Sequence, residues 1–598
     1  ARLREVLEAA AAGGSQRTAE RRRLGDYYAA CMDEAGAERR GLSPLEPDLR
    51  RIAALKSAAE LPPLLAHLDT IGAGALFSLR SGQDAKDALQ VIAVVDQGGL
   101  GLPDRDFYLK TDAKSADLRQ KYADHLKRMF GLMGEPAERA AADAAAVLAI
   151  ETTLAKASID RVSRRDPYKV YHKLTRAELA ALTPSFSWDA FLQASGAPPA
   201  ASFNVVQPDF LRAMDELLRT LPIEQWRSYL RWHLVKPFAE WLPGPWAREN
   251  FAFVGATLAG ARQERPRWER CVEATDRALG DDLGQEYIAT SLDPATRDRT
   301  LALVAELQKA MGQDIGNLSW MSEETRQQAR TKLQAIARKI AYPEARRDYS
   351  QLAVDRTDLL GNVERAAALE QKRRLGKIGK PLDRLDWTRM TPSTANASYN
   401  SSLNDITIPA GILQVPFYDP RRDDAMNYGA IGAVVGHELS HGFDDHGRQF
   451  DAHGNLEDWW TAADGEQFKQ RAACLVDEYS SFAVPGDLKV NGRLTLGENV
   501  ADNGGIRIAY MAYQASQAGK PRRTLDGLTP EQRFFIGFGQ IWCTNSTPQA
   551  ERMQVLTNEH SPGRFRTNGV VANLPEFQEA FHCKAGAPMA PANRCRVW

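Results

Sequence analysis

An H-E-x-x-H motif inside an apolar segment constrains this chain more than any other feature. The motif consists of His437, Glu438 and His441, and it follows a run of apolar residues and glycines from Ala430 to Gly436. On a helix of 3.6 residues per turn, the two histidines lie one above the other, so both imidazoles can bind one zinc ion. The motif therefore predicts a helix with two zinc ligands, and buried histidines with ordinary hydrogen bonds are the alternative.

Two acidic residues further along the chain offer the third ligand that a catalytic zinc site needs. Glu498 and Asp502 are four residues apart and hence one helical turn apart. We expect Glu498 to bind zinc and Asp502 to contact a ring nitrogen of His437, which would fix the tautomer of that ligand. Without the upstream motif, this pair would indicate only a solvated acidic face.

The charge balance argues against a protein that binds nucleic acid. Of the 598 residues, 76 are Lys or Arg and 77 are Asp or Glu, so the formal net charge is −1. No stretch reaches the roughly 18 apolar residues that a membrane-spanning helix needs. The length predicts at least two lobes. The chain starts at Ala1 without a leader, so we expect any targeting segment to have been removed.

Long Ala-, Leu-, Arg- and Glu-rich runs predict a mostly helical region up to about residue 380. One example is the segment 325–342, for which we predict a helix that begins near Ser322 and stops at Pro343. Its apolar residues recur at helical spacing: Ala329, Leu333, Ile336 and Ile340. The opposite face is charged, and we interpret it as a solvated surface rather than a nucleic-acid surface: Arg326, Arg330, Lys332 and Lys339.

The character of the sequence changes near residue 390. Alternating and β-branched residues over 398–409 predict a short hairpin, which an apolar run follows as far as Phe417. Helical spacing then resumes from about Met426. The residues that can bind a metal or take part in catalysis are concentrated after this point, so we expect the active centre in the C-terminal part of the chain.

Several motifs together link the chain to a known family. They are V-G-H-E-L-S-H-G-F-D-D at 435–445, G-E-N-V-A-D-N-G-G at 497–505, N-A-S-Y at 396–399, P-A-G-I-L-Q at 409–414, H-S-P-G at 560–563 and C-R-V-W at 595–598. With them, nearly the whole chain resembles the neprilysin and endothelin-converting-enzyme family of zinc endopeptidases. The resemblance implies a mainly α, two-lobed gluzincin metallopeptidase with a small β-sheet. Residues 1–385 would form a mostly helical region that covers the cleft, with some of its segments packed against the catalytic lobe. Residues 386–598 would form a thermolysin-like catalytic domain.

The same resemblance implies a mechanism with one zinc ion. His437, His441 and Glu498 would hold the ion, which would lower the pKa of a bound water and polarise the scissile carbonyl. Glu438 would take the proton of the water and pass it to the departing amine. His560 would donate a hydrogen bond to the developing oxyanion, although its spacing alone indicates a surface histidine.

The resemblance also implies residues that bind an oligopeptide substrate. The strand with Asn396 and Ala397 would pair with the extended peptide, and Arg566 would contact a backbone carbonyl after the scissile bond. Without the resemblance, Asn396 is an ordinary edge residue and Arg566 a surface arginine. A hydrophobic pocket would favour cleavage on the amino side of hydrophobic residues. The residues that would line it are equally consistent with an ordinary hydrophobic core. They are Ile412, Phe417, Ala433, Val434, Ile541 and Trp542.

The chain has six cysteines without a C-x-x-C spacing, so buried free thiols and disulfides are both open from spacing alone. The resemblance implies two disulfides, Cys31 with Cys271 and Cys474 with Cys595. It places the partners of Cys543 and Cys583 upstream of Ala1, where a membrane or lipid anchor would also lie. We therefore expect an extracytoplasmic monomer, in a bacterial periplasm or secreted.

Two other functions are compatible with the same motifs. One is a catalytically silent scaffold that binds peptides on this fold, against which the intact Glu438 and the intact ligand set argue. The other is a zinc enzyme that acts on substrates other than peptides. Digestion of a peptide library with and without a chelator distinguishes both from an endopeptidase.

Overall fold

A computed structural model describes residues 1–14, 17–387 and 390–598. It is mainly helical, as the sequence predicts. The helices of the first half are α1 (Arg2–Ala12), α2 (Ala19–Met32), α3 (Glu34–Arg40), α4 (Glu46–Ala54), α5 (Leu61–Thr70), α6 (Asp106–Leu109), α7 (Ala113–Leu132), α8 (Ala137–Ala157), α9 (Arg161–Arg164), α10 (Arg176–Leu182), α11 (Trp188–Ser195), α12 (Pro208–Thr220), α13 (Ile223–Val235), α14 (Gly244–Asn250) and α15 (Arg267–Ser291).

The helices of the second half include those that carry the sequence motifs. They are α16 (Thr296–Asn317), α17 (Glu323–Ala335), α18 (Leu359–Leu375), α19 (Asp424–Asn427), α20 (Ala433–Ser440), α21 (Ala462–Ser481), α22 (Leu496–Ser516), α23 (Pro530–Ile541), α24 (Pro548–Thr557), α25 (Gly563–Ala572) and α26 (Pro575–Ala580). A π-helical turn at Tyr428–Gly432 leads directly into α20.

The strands form small sheets. They are β1 (Phe77–Asp84), β2 (Asp87–Gln97), β3 (Lys173–Thr175), β4 (Ser202–Val205), β5 (Ala337–Ala341), β6 (Ser398–Asn400), β7 (Asp405–Pro409), β8 (Ala483–Val484) and β9 (Leu488–Lys489). One sheet has the order β1-β2-β4-β3, the second β5-β7-β6 and the third β8-β9. In the second sheet β7 is parallel to β5 and antiparallel to β6, which confirms the predicted hairpin.

The described residues fall into two compact units. Unit 1 comprises Ala1–Leu283 and Arg347–Leu382, and unit 2 comprises Gly284–Arg346 and Asp383–Trp598. The segment 284–346 thus groups with the C-terminal part of the chain, and the domain boundary after residue 385 stays a prediction. The role of residues 1–385 as a cover over the cleft stays a prediction.

Each unit contains one of the two disulfides that the resemblance implies. Cys31 pairs with Cys271 in unit 1, and Cys474 pairs with Cys595 in unit 2. The remaining cysteines, Cys543 and Cys583, are free. Among the described residues, none of the helices has the length and apolar character required to cross a bilayer.

The segment 325–342 is not a single helix, so that prediction is wrong beyond Ala335. The hydroxyl of Ser322 accepts the Thr325 N–H at 3.3 Å and begins α17 as expected, but α17 ends at Ala335 and strand β5 follows. Because a spacing of four is also a multiple of two, Ile336 and Ile340 fit a strand as well as a helix. Parallel pairing with β7 therefore decides the conformation.

The predicted solvated face of this segment is also wrong at two positions. The side chains of Lys332 and Lys339 are buried, with exposed fractions of 1% and 7%. The Nζ atom of Lys339 lies 2.6 Å from the carboxylate of Asp405. Burial of both lysines costs free energy unless their charges and hydrogen bonds are satisfied.

Candidate metal centre and active site

Helices α20 and α22 bring the three predicted metal ligands together in unit 2. His437 lies in α20, His441 directly follows it, and Glu498 lies in the first turn of α22. The Nε2 atoms of the two histidines are 3.0 Å apart. Glu498 Oε2 lies 3.3 Å from Nε2 of His437 and 3.6 Å from Nε2 of His441. These three ligand atoms are therefore close enough to share one metal ion.

The chemistry of this donor set fits zinc. Nδ1 of His437 lies 2.8 Å from Asp502 Oδ1, and Nδ1 of His441 lies 2.7 Å from Asp444 Oδ2. Each carboxylate favours a proton on Nδ1, so both Nε2 lone pairs point into the same space. Glu498 Oε2 is buried there and accepts no well-directed hydrogen bond from the described residues. Two imidazoles and one carboxylate leave a fourth tetrahedral position open, as in catalytic zinc sites.

Asp444 has a second role that the sequence reasoning missed. Its Oδ1 accepts the backbone N–H of His446 at 2.9 Å and of Gly447 at 2.6 Å, and these bonds organise the turn after the motif helix. Its other oxygen contacts His441, a predicted zinc ligand. An acidic residue three positions after a ligand, at the end of the same helix, is the signal that identifies such a partner.

For each of these groups, burial and the neighbouring charges change the pKa in opposite directions. Burial alone would raise the pKa of Glu498, but the imidazoles of His441 and His437 hold it well below its ordinary value. Burial alone would lower the pKa of His441, but Glu498 and Asp444 raise it well above that value. Burial raises the pKa of Glu438, and the nearby imidazoles oppose this only in part. Glu498 is thus an anion in a buried centre that attracts a cation.

His560 approaches the same centre from the loop between α24 and α25. Its Nε2 atom lies 3.1 Å from Glu498 Oε2, and 42% of its side chain is exposed. The neighbouring Ser561 hydroxyl donates to Asn499 Oδ1 at 3.1 Å, which attaches the loop to α22. The loop thus presents a half-exposed imidazole beside the predicted ligands.

Arg566 is buried rather than on the surface, so the alternative of a surface arginine is wrong. Its Nε and Nη2 atoms donate to the two carboxylate oxygens of Asp502, both at 2.7 Å. The guanidinium carbon lies 3.9 Å from the centre of the Trp542 ring. Asp502 therefore bridges Arg566 and His437. The Nη1 amino group of Arg566 takes no part in the two hydrogen bonds from Arg566 to Asp502.

The predicted substrate edge lies beside the sheet of unit 2. Exposed Asn396 and buried Ala397 directly precede β6, which is the edge strand of the β5-β7-β6 sheet. An edge strand can pair with an extended peptide. The contacts of Asn396, Ala397 and Arg566 with a substrate stay predictions.

The predicted pocket residues lie on three parts of unit 2. Ile412, Ala433 and Ile541 are buried, whereas Phe417, Val434 and Trp542 are half-buried. The N–H of Ile431 donates to the carbonyl oxygen of Phe417 at 3.0 Å, so the apolar run is attached to the π-helical turn before α20. Their role as a specificity pocket stays a prediction.

Comparison with known proteins identifies relatives over the whole chain. Two sequence models of peptidase family M13 match residues 1–343 and 396–597. Endothelin-converting enzyme 1 of Mus musculus is 34% identical over 621 residues, which cover 100% of this chain and 80% of that protein. Among solved structures, the Mycobacterium tuberculosis zinc metalloprotease Zmp1 in complex with an inhibitor has a TM-score of 0.96 and 39% identity, covering 100% of this chain and 92% of that one. PepO from Lactobacillus rhamnosis HN001 has a TM-score of 0.88 and 25% identity, covering 98% and 91%.

Proposed function

The chain belongs to peptidase family M13 and is a zinc metalloendopeptidase, and from this premise we propose that it cleaves oligopeptides on the amino side of hydrophobic residues. One observation carries the proposal: the Nε2 atoms of His437 and His441 lie 3.0 Å apart. Glu498 Oε2 lies within 3.6 Å of both nitrogens. We assign one zinc ion per chain to these three ligands.

In the proposed reaction, Glu438 moves the protons. Zinc held by the three ligands supplies Lewis-acid activation of a water molecule and of the scissile carbonyl. Glu438, which follows His437 on α20 and is buried, accepts a proton from the attacking water and gives it to the departing amine. Asp502 and Asp444 hold the imidazoles of His437 and His441 in the orientation that keeps both Nε2 atoms available.

Residues around this centre hold the substrate and stabilise the charge that develops. The Nε2 of His560 donates a hydrogen bond to the carbonyl oxygen of the scissile bond as that oxygen becomes negative. Arg566, which Asp502 holds in place, donates to the next backbone carbonyl. The edge at Asn396 and Ala397 pairs with the extended peptide.

The apolar pocket gives the cleavage preference. Its proposed lining combines buried aliphatic residues with half-buried Phe417 and Trp542, and these side chains exclude charged groups. A peptide with Leu, Ile or Phe after the scissile bond therefore fits best.

The two disulfides support an oxidising compartment. We assign the protein to the space outside the cytoplasm, in a bacterial periplasm or in the medium, where it acts as a monomer on oligopeptides. Cell fractionation tests this assignment. Activity that remains with the cytoplasmic fraction would contradict it.

Digestion of a peptide library by the zinc-loaded full chain tests the proposed activity. We expect cleavage before hydrophobic residues, loss of cleavage on chelation and recovery on addition of zinc. Glu438→Gln should retain zinc and lose cleavage, because the amide cannot accept the proton. Glu457→Gln, at an exposed position of the same unit, is the matched control and should remain active.

The same experiment distinguishes the proposed activity from the alternatives. Zinc-loaded wild-type protein that binds peptides without cleaving any of them would support a silent scaffold. Wild-type rates in Glu438→Gln would contradict the assigned proton carrier. Cleavage that survives removal of the metal would contradict the proposed mechanism as a whole.

A further inference from the structure

Lys332 is a buried lysine of unit 2 that has no part in the mechanism above. It lies in α17, outside the two helices that carry the zinc ligands. Its Nζ atom donates to the carbonyl oxygens of Gly447 and Phe450, at 2.6 Å each. We propose that Lys332 is a positioning residue for the zinc ligand His441, through Gly447 and Asp444. This inference rests on the proposed zinc site.

Asp444 is the part of this connection that touches the ligand. One of its oxygens lies 2.7 Å from Nδ1 of His441, and the other accepts the backbone N–H of Gly447 at 2.6 Å. The orientation of the carboxylate therefore depends on the backbone position of Gly447. A movement of that backbone turns the carboxylate and, with it, the imidazole.

Gly447 connects Asp444 to Lys332 and lies against the ligand itself. A Cβ atom at this position would lie 1.8 Å from the carbonyl oxygen of His441, so the loop has folded back onto the end of α20. The N–H of Gly447 binds Asp444, and its carbonyl oxygen binds Lys332. Lys332 thus binds Gly447, and Gly447 in turn binds Asp444.

The surroundings of the Lys332 ammonium favour a specific role over simple filling of space. Nζ lies 5.6 Å from the centre of the Phe443 ring and 5.8 Å from that of Trp459. Burial lowers the pKa of Lys332 to about 7, while Asp444 and Asp451 favour its charged form. An apolar side chain would fill the same space without this desolvation cost. The lysine therefore supplies what such a side chain cannot, namely donors for the Gly447 and Phe450 carbonyls.

The backbone of Lys332 is itself attached to the predicted substrate hairpin. The amide of Asn404 donates to the carbonyl oxygens of Lys332 at 3.2 Å and of Ala452 at 3.0 Å. The hydroxyl of Tyr399, in β6, donates to Asn404 Oδ1 at 2.9 Å. Lys332 therefore joins the hairpin to the loop that orients His441, so the zinc ligand and the proposed substrate edge share one support.

The test is the zinc affinity of Lys332→Met, with Lys339→Met as the matched control. Lys339 is a second buried lysine of unit 2, and it donates to the Asp386 carbonyl and the Asp405 carboxylate instead. Affinity is measured by competition with a chelator, and ligand geometry by the absorption spectrum of the cobalt-substituted protein. We expect Lys332→Met to weaken zinc binding about 10–100-fold and to change the spectrum. Lys339→Met should change neither.

Lys332→Met with wild-type zinc affinity and a wild-type cobalt spectrum would overturn the inference, whatever its thermal stability. If that variant does not fold, Lys332→Gln decides by the same two measurements, because it keeps a polar end on a shorter side chain and removes the ammonium group. Wild-type protein that binds no zinc at the site would overturn the proposed function as well. Wild-type binding with unaffected Lys332 variants would overturn this inference alone.

Discussion

Gly505 lies directly against the backbone of His437. A Cβ atom at position 505 would lie 2.4 Å from the amide nitrogen of His437 and 2.7 Å from its Cα. In the other direction, a Cβ atom at Gly436 would lie 2.4 Å from the carbonyl oxygen of Gly505. Helices α20 and α22 therefore cross in backbone contact, two turns beyond Glu498. This contact sets the distance between the Glu498 carboxylate, the proposed third ligand, and the two imidazoles.

Gly505→Ala should separate the two helices and disrupt the metal centre. We expect a loss of about 1–3 kcal/mol in the free energy of unfolding, because the added methyl group meets backbone that cannot give way. Zinc affinity should fall with it. Calorimetry and chelator competition measure the two effects.

Gly312→Ala is the control for that substitution. Gly312 lies in α16 of the same unit, and its Cβ atom would be in ordinary contact with Leu333, at 3.7 Å. Alanine there should be neutral or slightly stabilising. If Gly505→Ala behaves in the same way, the helix contact does not set the ligand distance.

Asp502→Asn should damage both stability and zinc binding. The substitution leaves the Arg566 guanidinium buried without its carboxylate, which costs about 3–5 kcal/mol. It also removes the anion beside Nδ1 of His437, so zinc affinity should fall about 10–100-fold.

A second substitution separates these two effects. Asp502→Asn combined with Arg566→Met removes the unpaired charge and should recover part of the stability, but not the zinc affinity. Recovery of both would show that Asp502 acts only as the partner of Arg566.

Trp598 should stabilise the packing around α20 and α22, the two helices of the candidate metal centre. It is buried against Trp320 and Phe443, and its ring lies so close to α22 that a Cβ atom at Gly504 would be 2.7 Å from it. Trp598→Ala should cost about 3–5 kcal/mol, as expected for a large cavity. Leu385→Ala, at a position that is 75% exposed, should have almost no effect on the unfolding transition. Similar transitions for both variants would contradict the assigned packing.

Glu364 should make the stability of unit 1 depend on pH. Burial, with Asp48 and Asp358 nearby, raises its pKa to about 7, and its buried Oε1 atom has no hydrogen-bond partner among the described residues. An unfolded chain restores a pKa of about 4.3, so the folded unit binds the proton more tightly. This stabilisation is complete below about pH 4.3 and is lost as the pH rises through about 7.

Glu364→Gln imitates the protonated side chain and should remove this dependence. Relative to wild type, its free energy of unfolding should rise by about 1–2 kcal/mol between about pH 5 and pH 8. The expected energy is small because solvent screens the partly exposed Glu364 side chain. Glu138→Gln, at an exposed position of α8, should show a nearly constant difference. A constant difference for Glu364→Gln as well would contradict the raised pKa.

The sequence predicts those parts of the site that depend on a single helical turn. His437 and His441, like Glu498 and Asp502, are four residues apart, so each pair lies on one face of its helix before any tertiary structure is considered. The distance between the two pairs depends on the contact of Gly436 with Gly505. No local pattern contains that information.

Tertiary contacts explain where the sequence predictions fail. A charged helix face normally indicates solvent, but Lys332 and Lys339 find carbonyl and carboxylate partners in other elements and are buried. The apolar spacing predicts helix for strand β5 because it fits both periods, and only the pairing of β5 with β7 distinguishes the two conformations. In both cases the deciding partner lies more than 60 residues away in the sequence.

Anomalous diffraction at the zinc absorption edge, from crystals of the zinc-loaded chain, tests the central claim most directly. We predict one anomalous peak per chain, bonded to Nε2 of His437, Nε2 of His441 and a carboxylate oxygen of Glu498. A peak held by other residues, or zinc-loaded active protein with no peak among these three side chains, would contradict the account.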